Sequence, residues 1–184
     1  MAIIMQKSRK KIILHVCCAT CGAYVSTLLS KDYEVVLYYS NSNIYSEEEF
    51  IRRKNDVEKI ARNYTLEMYE DKYNHKAWLE FIKGLETEPE KGKRCLKCYE
   101  YRMKNLVNKA IDLGIDNFAT TLSVSPHKIY KYIKSIGQRL EKETGLKYYD
   151  QDFKKQDGYK KSNDLSREMN FYRQNYCGCE FSKR

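Results

Sequence analysis

Seven cysteines fall into three short motifs, Cys17-Cys18-x-x-Cys21, Cys95-x-x-Cys98 and Cys177-Gly178-Cys179, and none is left over. For a cytoplasmic chain of this size, thiols clustered in this way point to metal binding or redox chemistry rather than to a network of structural disulfides. Two distant C-x-x-C-like pairs supply four thiolates, a set that suits either a structural zinc or a [4Fe–4S] cluster. Zinc ribbons usually carry their pairs on two small knuckles. Here one set sits at the end of a strand and the other opens a helix, which favours a cluster seated in a crevice. A helix start near Cys95 also brings free N–H groups and a dipole that stabilise thiolate charge. Cys177-Gly178-Cys179 reads differently, because a disulfide closed across one intervening residue is strained and readily reduced. It is a switchable dithiol near the same site, with two further metal ligands as its alternative role.

The elements that position these residues follow from hydrophobic patterning. Residues 11–18 (KIILHVCC) and 34–40 (EVVLYYS) are short apolar runs of strand-favouring residues, and 19–30 between them is long enough for one crossover helix. A charged helix over 46–63 follows, with Ser46 and Glu49 in the positions of a capping box. Next come a strand at 64–69, a helix near 74–83 and a polar link over 84–94. A helix over 95–113 closes at Gly114, and a strand over 116–122 precedes a helix that starts after Ser125-Pro126 and stops at Gly145. A short strand at 146–149 leads into a polar tail of loop and short helix. Strands alternating with helices imply a single α/β domain with a mostly parallel sheet flanked by helices. Its strand C-termini gather along one edge, where ligands bind and where both Cys17-Cys18 and 120–125 are expected.

The 184 residues suit one domain, with residues 1–10 as an N-terminal extension and 150–184 as a cysteine-containing tail packing on the site. No apolar run approaches the roughly 20 residues of a membrane helix, and the basic N-terminus leads into no signal-peptide core, so the expected location is the cytoplasm. Thirty-four Lys and Arg against 25 Asp and Glu leave a charge of +9, which attracts a polyanion, RNA being the natural one. Among isolated polar residues, His15 reads as a satisfied core histidine and His127 as a surface residue. Thr120, Thr121, Ser123 and Ser125, at a strand end, are candidates for substrate hydrogen bonds, as are Arg173 and Gln174 beside the dithiol for phosphate or base edges.

The motifs LHVCCATC (14–21), RCLKCYEYR (94–102), FATTLSVS (118–125) and YRQNYCGCE (172–180) together resemble the QueH-type epoxyqueuosine reductases. Tyr39–Asn43 with Glu49 and Arg52, and the stretch 152–166, add to the likeness, which covers nearly the whole chain. The resemblance implies a Rossmann-like (HUP-like) domain with a cysteine-rich metal site at the strand C-terminal edge. It implies an oxidoreductase that removes the epoxide oxygen of epoxyqueuosine in tRNA in two-electron fashion, the last step of queuosine biosynthesis. It places a [4Fe–4S] cluster on Cys17, Cys18, Cys95 and Cys98, a redox-active pair on Cys177 and Cys179, and a second, mononuclear iron beside the cluster, for which Cys21 and Asp152 are the candidate ligands. An external electron donor completes the expected partners. Thr20 stands where the family commonly has proline. The rival reading from another class is a zinc-stabilised RNA-binding module without redox activity. A nucleotide-activating enzyme of the same architecture is disfavoured, because Cys17 to Gly22 occupy the place of a phosphate loop.

Overall fold

Ile12, Ile13 and Leu14 are all fully buried, although successive side chains of a strand point to opposite faces, so the first strand must be covered on both sides. A computed structural model, which describes residues 9–183, meets that demand with a five-stranded sheet whose pairings are all parallel. The strands are β1 (Lys10–His15), β2 (Tyr33–Tyr39), β3 (Glu67–Glu70), β4 (Asn117–Thr120) and β5 (Lys147–Tyr148), in the order β3-β2-β1-β4-β5. The helices are α1 (Ala19–Leu29), α2 (Glu47–Asn63), α3 (His75–Phe81), α4 (Lys93–Asp112), α5 (Tyr130–Thr144) and α6 (Gly158–Glu168). Helix α1 packs against α2 and α6, and α4 against α3 and α5. From β1 the chain winds outward through β2 and β3, then returns to place β4 on the other side of β1. The connections leaving β1 and β4 therefore part from each other, which opens a crevice at their carboxyl ends.

Several elements end elsewhere than patterning alone suggests, and for local reasons. Strand β1 begins at Lys10, inside the expected extension, of which residues 1–8 lie outside the described residues. It ends at His15, because the Cys17 N–H turns away from the ladder to donate to Thr121 Oγ1 at 3.1 Å. Strand β4 stops at Thr120, whose hydroxyl accepts from the Leu122 N–H at 3.2 Å and so caps a 3-10 turn over Thr121–Val124. Ser46 does precede α2, but the capping box is not formed. The Ser46 hydroxyl donates to Glu48, while the Glu49 carboxylate takes the Arg53 Nε at 2.7 Å.

The polar tail contains an eleven-residue helix, α6, that docks on the start of α1. Ser162 Oγ donates to the Thr20 carbonyl at 2.5 Å, and the Thr20 and Ser166 hydroxyls meet at 2.9 Å. Thr20 is the second residue of α1, where the N–H has no intrahelical acceptor; this is why a proline also fits there. Helix α6 can start where it does only because of Gly158: a Cβ at that position would lie 1.8 Å from the Phe153 carbonyl oxygen. Gly158→Ala is therefore expected to cost about 1–3 kcal/mol and lower the melting temperature by several degrees. An unchanged thermal midpoint would show that this approach is not a real constraint.

Candidate functional site

Three segments converge at the crevice. Cys17 and Cys18 leave β1 and sit at the N-terminus of α1, with Cys21 one turn along, and the three buried sulfurs lie within 4.8 Å of one another. Helix α4 begins two residues before Cys95, so Cys95, Cys98, Tyr99 and Arg102, spaced i, i+3, i+4, i+7, share one stripe of its first turns. The tail returns to bring Cys177 over the opening. Together these enclose a cavity of about 360 Å³ lined by Cys17, Cys18, Cys21, Cys95 and Cys177, with Arg53, Arg102 and Lys128 among its polar walls. Cys98 and Cys179 are buried beside it, packed with Trp78 and Ile82. All seven cysteines are free thiols.

Their protonation follows from the packing. Cys17 is held well below the ordinary thiol range by S–H groups of Cys18, 3.8 Å away, and Cys21, while those same contacts raise Cys18 and Cys21. The Thr121 hydroxyl donates to the Cys17 sulfur as well, at 3.3 Å. Burial pushes Cys98 up to about 12 against the pull of Arg102. Burial also raises Cys95, offset in part by the Lys91 N–H, which donates to its sulfur at 3.2 Å. Burial works against the Lys128 charge, yet the Cys177, Cys17 and Cys21 sulfurs outweigh it and raise its pKa. A soft cation, which displaces protons from thiols, suits such a set.

The hydroxyls divide. Thr121 orients Cys17, whereas Thr120 is spent on His15 and Leu122, and Ser123 donates to the Gln151 carbonyl at 2.9 Å. Neither Thr120 nor Ser123 lines the cavity; Ser125, Arg173 and Gln174 do. Asp152 is not among the residues that line it, and its carboxylate pairs with Lys154 at 2.8 Å. His15 is wholly buried, with a pKa lowered to about 3 by burial and then by Arg102. Its Nε2–H donates to the Ser40 carbonyl and its Nδ1 accepts from Thr120, so it is a neutral structural residue. Exposed His127 nevertheless lines the cavity.

Arg53, Arg102 and Lys128 escape a motif-based reading. The α4 stripe was the available signal for Arg102, and the Ser-Pro turn after β4 for Lys128. Arg53 is 3% exposed and fastens the tail: its Nε meets Glu49 and its Nη1 donates to the Cys177 carbonyl at 3.1 Å. The Tyr45 N–H donates to the Gly178 carbonyl at 2.9 Å, and Gly178 has φ +136°, a conformation that side chains rarely adopt. Arg53→Met should therefore speed amide exchange over residues 175–180 by about tenfold or more, through loss of charge-assisted bonds. Unchanged exchange there, measured by mass spectrometry, would mean that the tail is held by other contacts.

The family model described as epoxyqueuosine reductase QueH matches residues 12–184. A relative of that name from Streptococcus pyogenes serotype M1 is 35% identical over 192 residues, covering 100% of this chain and 75% of that one. Another, from Thermotoga maritima, is 32% identical over 174 residues, covering 93% and 89% respectively. Among solved structures, the U34-tRNA thiolase NcsA from Methanococcus maripaludis with its [4Fe-4S] cluster superposes with a TM-score of 0.61 at 14% identity, over 97% of this chain and 63% of that one. A predicted tRNA methyltransferase subunit from Methanocaldococcus jannaschii gives 0.57 at 15% identity, over 86% and 75%. At those identities the two structures speak for the fold alone. The match over residues 12–184, with relatives above 30% identity along nearly the full chain, places this protein in the epoxyqueuosine reductase QueH family.

Proposed function

We propose that the chain is an iron–sulfur epoxyqueuosine reductase acting on tRNA in the cytoplasm. The observation that carries this reading is the convergence of three distant cysteine motifs on one cavity in a chain of that family. The overall change adds two electrons and two protons to the epoxide, breaks both of its C–O bonds, and yields the alkene and water. The two electrons come from an external reductant.

The buried trio Cys17, Cys18 and Cys21 fits a sulfur-ligated metal group, with Cys95 on the far wall of the same cavity and Cys98 buried one turn along α4. The grouped ligands are buried thiols without a carboxylate among them, and buried guanidinium groups stand close enough to offset thiolate charge. Cys17, Cys18, Cys95 and Cys98 would hold a [4Fe–4S] cluster, which supplies one-electron transfer when bound. Cys21, the third member of the buried trio, and Asp152, whose carboxylate now meets Lys154, would be the ligands of any additional iron. Thr121 fixes the Cys17 sulfur, Arg102 offsets negative charge from beneath, and the tail shields the thiols from bulk water. Cys177 and Cys179 are the redox-active pair in this reading. Ser125, Arg173 and Gln174 border the cavity where a nucleotide enters, and the excess of nine positive charges draws the tRNA. Among the described residues no helix is long and apolar enough to cross a membrane.

Anaerobically purified protein should be brown, with iron and sulfide near four each per chain, one more iron if Cys21 holds a second site, and a broad absorbance at roughly 400 nm that bleaches with dithionite. It should convert epoxyqueuosine tRNA to queuosine tRNA. A colourless protein that takes up zinc but no iron would overturn the reading in favour of a zinc-stabilised RNA-binding module. Cys98→Ala should lose cluster and turnover together; full iron content with full turnover in that variant would refute the ligand assignment.

A further inference from the structure

Six buried side-chain atoms lack a hydrogen-bond partner among the described residues, and three of them, Arg53 Nη2, Arg102 Nε and Gln174 Oε1, belong to residues that line the cysteine cavity. A buried polar atom left unpaired is costly, so such atoms mark where a ligand completes the bonding. Arg102 serves the thiol side: its Nη2 donates to the Asn41 side chain, and it stands one turn along α4 from Cys98. Arg53 and Gln174 lie on the tail side. The Arg53 guanidinium sits 5.1 Å from the centre of the Tyr176 ring, and its Nη1 donates to the Cys177 carbonyl at 3.1 Å, which leaves Nη2 beside the segment that carries Gln174.

The two atoms are opposite in kind, a guanidinium nitrogen that only donates and an amide oxygen that only accepts. Nearby polar groups are engaged elsewhere. Arg173 donates to Asn163 at 2.9 Å, the Tyr176 hydroxyl donates to the Tyr45 carbonyl at 2.8 Å, and Ser125 Oγ accepts from the His127 N–H at 3.3 Å. A phosphate, which offers acceptors only, suits Arg53 but leaves Gln174 Oε1 facing further oxygen. A ligand that satisfies both atoms presents an acceptor and a donor together. The pairing edge of a guanine-type base does so, with O6 as acceptor beside the N1–H and 2-amino donors, whereas adenine places a donor and an acceptor in the reverse order.

We infer that Arg53 and Gln174 read the base of the substrate nucleotide: Arg53 Nη2 donates to O6 of the 7-deazaguanine ring of epoxyqueuosine, and Gln174 Oε1 accepts from its N1–H and 2-amino group. This rests on the reductase reading above. With the six-membered ring engaged at the tail, the five-membered ring, which carries the epoxide-bearing arm, is left to the cysteine side of the cavity. Arg53 then has two tasks on one guanidinium: Nη1 fixes the tail through the Cys177 carbonyl and Nη2 meets the base, so recognition of the base and placement of the tail depend on the same buried group.

The test is direct binding, by fluorescence anisotropy on the iron-loaded protein, of two anticodon hairpins that differ only in carrying G or A at the wobble position. Wild type should prefer the G hairpin by about tenfold or more. Gln174→Leu should cut that ratio by about fivefold or more while leaving affinity for the A hairpin within about threefold. Gln174→Glu keeps an oxygen acceptor in place, so it should retain the ratio within about threefold even though its added charge weakens both hairpins. Iron content should match wild type in both variants. A wild-type ratio near one, or a ratio that Gln174→Leu leaves unchanged, overturns the inference. Equal weakening of both hairpins by Gln174→Leu also overturns it and makes Gln174 a backbone contact, loss of the ratio in Gln174→Glu shows that the amide N–H group rather than the oxygen matters, and loss of iron assigns the residue to site assembly. Binding is scored without turnover. A wild-type protein that shows the expected ratio yet leaves epoxyqueuosine tRNA unreduced would therefore refute the reductase reading while the recognition of a guanine-type base stands.

Discussion

The Cys17 N–H donates to Thr121 Oγ1 at 3.1 Å, and the same hydroxyl donates to the Cys17 sulfur at 3.3 Å. These two bonds join the exits of β1 and β4, where the connections part and no backbone ladder remains to keep the two sides together. One row deeper, His15 ties the same pair of strands to a third, through Thr120 on β4 and the Ser40 carbonyl beyond β2. Everything above depends on this seam. Cys17 anchors the thiol trio, the start of α1 follows from it, and α6 docks on that helix start through Thr20. A crevice that slipped there would leave buried donors unpaired, at about 1–3 kcal/mol each, and would scatter the sulfurs.

Buried positive charge is the second half of the design. Arg53, Arg94 and Arg102 are each 3% exposed or less, and each keeps at least one nitrogen without a hydrogen-bond partner among the described residues. Arg94 donates to the carbonyls of Glu86 and Glu88, and Arg102 to the Asn41 side chain, all neutral acceptors. A guanidinium removed from water needs negative charge nearby, and neutral oxygens supply only part of it. The Cys17 sulfur, held low among its neighbours, is an anion that the surroundings of Arg102 provide, and it favours the charged guanidinium. Arg102 and the Cys17 sulfur thus stabilise each other's charge, and a bound soft cation that displaced the protons of the neighbouring thiols would extend the same balance.

Much of the fold was legible because its signals are local or periodic. The apolar runs around residues 12–16 and 35–39 became β1 and β2, and the alternation of strands and helices became the parallel sheet. The edge at which Cys17 and Thr121 meet followed from topology. What was hidden depended on partners far away in the chain. Thr120 and Ser123 looked free to bind a substrate, but a hydroxyl at a strand end is equally able to cap a turn or bridge to another segment, and here both do. Ser46 and Glu49 have capping-box spacing, yet Arg53, which must hold the tail, claims the Glu49 carboxylate. Asp152 lies near the right stretch of sequence but is turned to Lys154. Lys128 sits in a Ser-Pro turn that reads as an ordinary helix entry until β4 is known to end at the crevice.

The tail is fastened by its main chain and by flanking side chains rather than by its sulfurs. Tyr45 holds the Gly178 carbonyl, Arg53 holds that of Cys177, Tyr176 reaches back to Tyr45, and Glu180 meets His75 at 3.0 Å. Phe181 lies against Trp78, with Arg94 over its ring. With Gly178 turning the chain between them, the two thiols face different surroundings. Cys177 borders the cavity and is partly reached by solvent, while Cys179 is packed beside Cys98. Thiol exchange requires access to the attacked sulfur, so in the proposed dithiol role an outside thiol would have to engage Cys177 first. Cys179, shielded and with a pKa raised by burial, would then be the slower partner, and burial rather than sequence would set the order of events in that role.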